Sequence, residues 1–286
     1  MTTRQPNIFL LLTFLFALTT VSSAAQTRRA LVIGLGEQTD PSWEKIHGDN
    51  DVEYVTKMLR RCSFKDIRTL TNHDATKAGI VKALQRLAKR CRRGDIIYVH
   101  FSGHGQQMTD LDGDEEDGWD ETWIPYDAFA SYGPQDHGEK HLTDDELNRL
   151  LADIAIRIGS RGKMLVVADA CHSGDSTSGE EDNITIRGAY DEFVIPGVQP
   201  PRPTPKKPLK WLMLSACKDL ERNEEMTSPK VGKLTYALFV LSREARLSKS
   251  AIQKFMSKHQ SKLPQTPQLD NSGVSYTIAD VLDRCK

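Results

Sequence analysis

An α/β fold is predicted: a doubly wound, mostly parallel sheet of six strands with helices on both faces. Three observations predict it. Short apolar runs alternate with segments of helical periodicity along most of the chain. Strands separated by helices are usually parallel and joined by right-handed crossovers. The 286 residues, 38% hydrophobic and 27% charged, are enough for one large domain with a buried core.

The elements follow in order. Residues 1–25 read as a secretion signal: Arg4, an apolar run from Ile8 to Leu18, then small residues from Ser22 to Ala25. The run is short for a membrane span, which needs roughly 20 residues, so residues 26–286 are expected as an exported domain without stable membrane association. The first strand is Arg29 to Gly34, and a helix follows from Asp51 to Arg60 with Val52, Val55, Met58 and Leu59 on one face. A weaker strand lies near Asp66 to Thr71, and Thr76 caps a second helix carrying Ile80, Val81, Leu84, Leu87 and Ala88. The third strand is Asp95 to Phe101. Thr143-Asp144-Asp145-Glu146 reads as a capping box opening a third helix. Strands follow at Lys163 to Ala168 and Lys210 to Ser215, helical patterns at Leu234 to Arg246 and Ser248 to Ser261, and a last short strand near Val274 to Ile278. Residues 174–208 show no periodicity, and six of the 13 prolines lie between Pro196 and Pro208. Such a loop is either a mobile surface insertion or functional; its Arg187, Arg202, Lys206 and Lys207 are candidate cleavage points.

The charge balance, 38 basic against 39 acidic residues, excludes a polycationic nucleic-acid binder and a basic membrane-surface protein. Gly34 and Gly36 lack the third glycine of a dinucleotide loop. The chemistry concentrates at two strand ends. One runs into Ser102-Gly103-His104-Gly105, the other into Asp169-Ala170-Cys171-His172-Ser173-Gly174. In a parallel sheet both ends share the carboxyl edge, where ligands bind. A thiol needs a base to become a nucleophile, and glycines let backbone N–H groups approach a developing oxyanion. This is the layout of a Cys/His acyl-transfer site. Cys217 also follows an apolar strand but has no such company. His172 adjoins Cys171, but neighbouring side chains on an extended backbone point apart, which favours His104.

With these residues the sequence resembles the caspase-like cysteine peptidases, and most closely type I metacaspases. The resemblance rests on His100-Phe101-Ser102-Gly103-His104-Gly105, on the acidic stretch Asp110 to Gly118, and on Asp169 to Gly174. Gly48-Asp49-Asn50-Asp51 and Ser215-Ala216-Cys217 support it. It implies a caspase-like fold, with His104 as general base, Cys171 as nucleophile, and the N–H groups of Gly105 and Cys171 facing the oxyanion. It implies that Asp51, Ser102 and Asp169 line the first specificity pocket, which would accept Arg or Lys of protein or peptide substrates. Asp169 could instead cap nearby backbone amides.

Asp110 to Glu121 holds eight carboxylates, too dense to sit together without screening or a hard cation. Glu115 stands where an EF-hand loop needs glycine, which excludes that motif. The resemblance implies calcium near Asp120, Asp144 and Asp145. A further aspartate expected beyond the cysteine is replaced by Ser178, with Glu180 or Glu181 as substitutes. A solvated acidic loop beside a helix N-terminus accounts for the same charges.

Five cysteines leave at least one outside intramolecular disulfides. Helices ending at Cys62 and Cys91 should lie on opposite faces of the sheet, which disfavours that bridge; Cys285 could pair with either. The expectation is an exported, monomeric endopeptidase, self-processing within residues 174–208. Its rival is a catalytically silent caspase-like scaffold for calcium-dependent protein binding.

Overall fold

The structure is a computed structural model that describes residues 26–113, 115–171, 185–189, 191–198, 208–218, 221–244, 247–259, 264–283 and 285. The secretion-signal segment, His172, Ser178, Glu180, Glu181, Arg202, Lys206 and Lys207 lie outside the described residues.

Strand β1 (Arg28–Gly34) leads to helix α1 (Gly48–Arg61) and the half-exposed β2 (Asp66–Thr71). Helix α2 (Lys77–Arg90) starts after Thr76, whose hydroxyl accepts from the Gly79 N–H at 3.1 Å. Strand β3 (Ile96–Ser102) is buried throughout. Next come β4 (Gly105–Thr109), β5 (Trp119–Trp123), β6 (Leu142–Thr143) and helix α3 (Asp144–Ile158). Strand β7 (Lys163–Asp169) precedes the insertion; β8 (Leu212–Ser215), β9 (Glu225–Met226) and β10 (Val231–Gly232) follow it. Helices α4 (Lys233–Leu241) and α5 (Lys249–Lys258), strand β11 (Gln268–Asp270) and helix α6 (Ile278–Val281) complete the chain.

The six-stranded sheet runs β11-β8-β7-β3-β1-β2 and is parallel except for β11. The chain steps from β1 to β2 on one side and then crosses to β3 on the other. Right-handed crossovers therefore throw α1 and α2 to opposite faces. Alternating side chains feed two cores. Ala30, Val32, Tyr98, Leu165 and Val167 pack with α1, α4 and α5; Leu31, Ile33, Ile97, Val99 and Val166 pack with α2 and α3. Cys62 and Cys91 accordingly fall in different layers, and the disulfide joins Cys62 to Cys285. Among the described residues no helix is long and apolar enough to cross a membrane.

Four sequence expectations are corrected. The last strand is not Val274 to Ile278 but Gln268–Asp270, antiparallel to β8. Val274 and Tyr276 are partly buried against the core in irregular chain, and the Tyr276 hydroxyl bonds both backbone groups of Met164 at 2.9 and 3.0 Å. The capping box at Thr143 is half made. Thr143 Oγ1 accepts from the Glu146 N–H at 3.3 Å, while the Glu146 carboxylate reaches across to Lys77 of α2 at 2.7 Å. The acidic stretch is not all loop, because Trp119 to Glu121 belong to β5 in a three-stranded antiparallel sheet. The described part of the insertion is not wholly a surface loop: Arg187 and Phe193 are fully buried, while Val194 and Val198 are exposed.

Candidate active site

The ends of β1, β3 and β7 are flush. Gly34 pairs with Ser102, and Ser102 pairs with Asp169. His104 and Cys171 each stand two residues beyond that row, on the same carboxyl edge. Helix α1 abuts the row because its first residue has no side chain. A Cβ at Gly48 would lie 2.5 Å from the carbonyl oxygens of both Leu35 and Ser102. This contact delivers Asp51, in the first turn of α1, to Ser102, whose hydroxyl donates to Asp51 Oδ2 at 2.8 Å.

His104 is buried, with its ring centroid 5.0 Å from that of Trp43. Its Nε2 lies 2.8 Å from the Glu44 carbonyl oxygen. A carbonyl only accepts, so Nε2 carries the proton and the buried Nδ1, which has no hydrogen-bond partner, carries the lone pair. Burial pushes the imidazole down to about 4, against the opposing pull of the Glu44 and Gly188 backbones. The ring is therefore a neutral base near neutral pH. The Cys171 thiol donates to the Glu221 carbonyl at 2.9 Å, so the two groups rest at one edge without a hydrogen bond between them. Gly188 lies against the cysteine: a Cβ there would sit 3.2 Å from Cys171 Cβ.

The predicted pocket residues do converge, and they converge on Arg187. Its guanidinium is fully buried. Nη1 and Nη2 donate to the two oxygens of Asp51 at 2.6 and 3.1 Å, and Nε donates to Glu225 Oε1 at 2.9 Å. Asp169 Oδ1 is 3.6 Å from Nη1. Burial works against the charge, but the three carboxylates hold the Arg187 pKa above its ordinary value. A Cβ at Gly232 would lie 2.6 Å from Nη1, so the pocket floor has to be glycine there. Asp169 also does what the alternative reading asked. It accepts from the Thr235 N–H and hydroxyl at 2.8 and 2.6 Å, capping α4, and from Asn223 Nδ2 at 2.8 Å.

The backbone around Arg187 is held in an extended pose. Its N–H donates to the Asn223 carbonyl at 2.9 Å, and the Glu225 N–H donates to the Thr185 carbonyl at 2.9 Å. Its own carbonyl accepts from the Cys171 N–H at 2.7 Å. The Ala189 N–H then donates to the Gly105 carbonyl at 3.0 Å. A basic side chain thus fills the acidic pocket while the carbonyl beside it rests on the amide of the cysteine. Behind the pocket, Ser102 and Thr235 use their hydroxyl protons on Asp51 and Asp169. Both oxygens therefore accept from His100 Nε2, at 2.9 and 3.1 Å, and Nδ1 takes the Tyr98 hydroxyl at 3.0 Å.

A family model described as "Metacaspase, peptidase C14 domain" matches residues 28–178, more than half of the chain. The chain belongs to the metacaspase family. Metacaspase-1B of Aspergillus terreus is 34% identical over 192 residues, 60% of this chain and 47% of that relative. Metacaspase-1A of Aspergillus clavatus is 42% identical over 159 residues, 52% of this chain and 34% of that relative. The matched part therefore spans about half or less of these metacaspases. Two solved structures are similar in fold. Protein GSU0716 from Geobacter sulfurreducens has a TM-score of 0.62 at 24% identity, covering 88% of this chain and 98% of that one. Caspase-1 from Spodoptera frugiperda has a TM-score of 0.57 at 13% identity, covering 88% of each.

Sequence reasoning missed Glu225, Asn223, Gly232 and Thr235 of this metacaspase pocket. None sits in an apolar period or a glycine motif; the acidic pair Glu224-Glu225 was the only signal. The acidic stretch behaves differently. Among the described residues no three His, Cys, Asp or Glu side chains gather as a metal-holding group. Asp120 nevertheless is buried with Oδ1 unpartnered, and burial, then Asp144, Asp110, Asp145 and Asp112, push its carboxyl up to about 8. All-carboxylate oxygen is the donor chemistry that a hard dication takes. The residues fit such an ion in kind, although they do not close around a point.

Proposed function

We propose that the chain is a cysteine endopeptidase that cuts after Arg or Lys, and that its first substrate is its own Arg187–Gly188 bond. The observation that carries this is Arg187 itself: guanidinium in the acidic pocket, carbonyl on the Cys171 N–H.

The chemistry follows from the groups in place. The sulfur of Cys171 turns from Glu221 to the scissile carbonyl carbon, and its proton passes to His104 Nδ1. The carbonyl oxygen becomes an oxyanion held by the Cys171 and Gly105 N–H groups. The C–N bond breaks as His104 returns the proton to the leaving amine, giving a thioester. Water, deprotonated by the same Nδ1, then hydrolyses the thioester and frees the thiol. Until Arg187 leaves, its side chain blocks the pocket, so self-cutting precedes attack on other protein or peptide substrates.

Calcium is proposed for the acidic edge, held by Asp120, Asp144 and Asp145. It would supply positive charge there and release Asp120 from its repulsive neighbours. Export through residues 1–25 is proposed too, supported by the Cys62–Cys285 disulfide, which suits an oxidising compartment. The working unit is proposed to be a monomer.

A peptide-library digest, with and without calcium, tests this reading. It predicts cuts after Arg and Lys that need calcium and vanish in Cys171→Ala. No cut after any basic residue by the wild-type chain would instead favour a silent, calcium-dependent binding scaffold.

A further inference from the structure

The pocket contains a carboxylate beyond the three residues that the sequence pointed to, and its position discriminates between two basic side chains. Asp51 takes the two terminal nitrogens of the guanidinium, at 2.6 and 3.1 Å. An ammonium group could dock on the same two oxygens. Asp169 has its oxygens occupied by Thr235 and Asn223 and stands 3.6 Å from Nη1, so it adds field rather than a directed bond. Glu225 alone meets Nε, at 2.9 Å through Oε1, and the same oxygen lies 2.9 Å from Nη2.

Nε–H is a donor that lysine lacks. Glu225 is nearly fully buried and is aimed by the residue just before α1: the His47 N–H donates to Oε1 at 2.7 Å, and His47 Nδ1 lies 2.6 Å from Oε2. A carboxylate accepts, so His47 Nδ1 is the donor. These two bonds hold the carboxylate whether or not the pocket is filled. With lysine in the pocket, Oε1 would keep the His47 N–H but lose the Nε–H that faces it, leaving a buried carboxylate less fully paired, a cost that arginine does not meet.

We infer that Glu225 is the specificity residue that makes this pocket read arginine in preference to lysine. The inference rests on reading the acidic pocket as the first substrate site, and it sharpens the substrate class to arginyl bonds.

The test compares kcat/KM on paired peptides that differ only in Arg or Lys before the cut, for the self-processed wild type and Glu225→Gln. The wild type should prefer Arg at least tenfold. Glu225→Gln should cut Arg peptides tenfold or more slower, cut Lys peptides within about threefold of wild type, and lose most of the preference. Equal losses on both peptides, or an unchanged ratio, would overturn the inference and leave the peptidase reading intact. Cutting of neither peptide by the wild type would overturn both.

A second readout needs no turnover. In the Cys171→Ala chain Arg187 is its own pocket ligand, so Arg187→Lys and Glu225→Gln can be combined and their melting temperatures compared. Arg187→Lys should cost clearly less in the Glu225→Gln background than with Glu225 present. Additive shifts would show that Glu225 does not sense the guanidinium.

Discussion

Arg187 faces three buried carboxylates, and its removal would leave them facing one another. In the Cys171→Ala chain, Arg187→Ala should lower stability by about 3–5 kcal/mol at neutral pH, the usual cost of stranding one side of a buried ion pair. Urea denaturation measures this, and a loss below about 1 kcal/mol would contradict the pairing described. His104 gives a kinetic prediction at the same scale. Its lone pair is available wherever the ring is neutral, and burial keeps it neutral down to about pH 4. The first-order rate of self-cutting should therefore hold down to about pH 5, well below the acid limb that a histidine with an ordinary pKa near 6.5 would impose. A single-turnover pH profile that falls through pH 6.5 would contradict this. The shared edge of His104 and Cys171, the candidate dyad, was legible in the sequence because a histidine and a cysteine beside glycines ended two apolar runs. Arg187 was legible only as a cleavage point. Its partners lie 136, 18 and 38 positions away in sequence, and no local period links them.

Helix α1 is held at the site by a missing side chain, and the acidic edge is held apart by repulsion. Gly48→Ala would force a methyl group to within 2.5 Å of two carbonyl oxygens, pushing the first turn and Asp51 away from Ser102. The expected cost is about 1–3 kcal/mol, as for an overpacked core, with slower self-cutting. A variant with wild-type melting and rate would show that the close approach is not needed. Strands β4 and β5 were invisible in the sequence for a related reason. Gln106 is buried in β4 with its amide bonded to Ala130, Asp191 and His141, so a core position carries a polar residue. Periodicity reads apolar burial and cannot see polar burial that is paid for by hydrogen bonds.

Over the whole molecule, buried titratable groups set opposite pH limits. His100 and His104 are both held down to about 4 by burial, against about 6.5 in an unfolded chain. Their contribution is present above about pH 6.5 and is lost as pH falls toward 4. Asp120 is raised to about 8, so its contribution is present below about pH 4 and is lost as pH rises through 8. Calcium should therefore raise the melting temperature more at pH 8 than at pH 5, and Asp120→Asn should remove that difference. Equal calcium shifts at both pH values would refute this account of the acidic edge. The Cys62–Cys285 disulfide closes a span of 223 positions, and Cys285→Ser should cost about 2–5 kcal/mol. The central strands, the two faces and the mostly parallel sheet were readable because β1, β3, β7 and β8 are apolar runs with helical periods or turn signals between them. The antiparallel edge strand was misplaced because Val274 and Tyr276 are apolar enough to mimic it while packing as irregular chain.

Mapping the chain termini of purified protein by mass spectrometry, after incubation with calcium, tests the central claim most directly. Self-processing predicts a new amino terminus at Gly188 in the wild type, and none there in Cys171→Ala or Arg187→Ala. An intact Arg187–Gly188 bond in the wild type, or the same cut in Cys171→Ala, would contradict it.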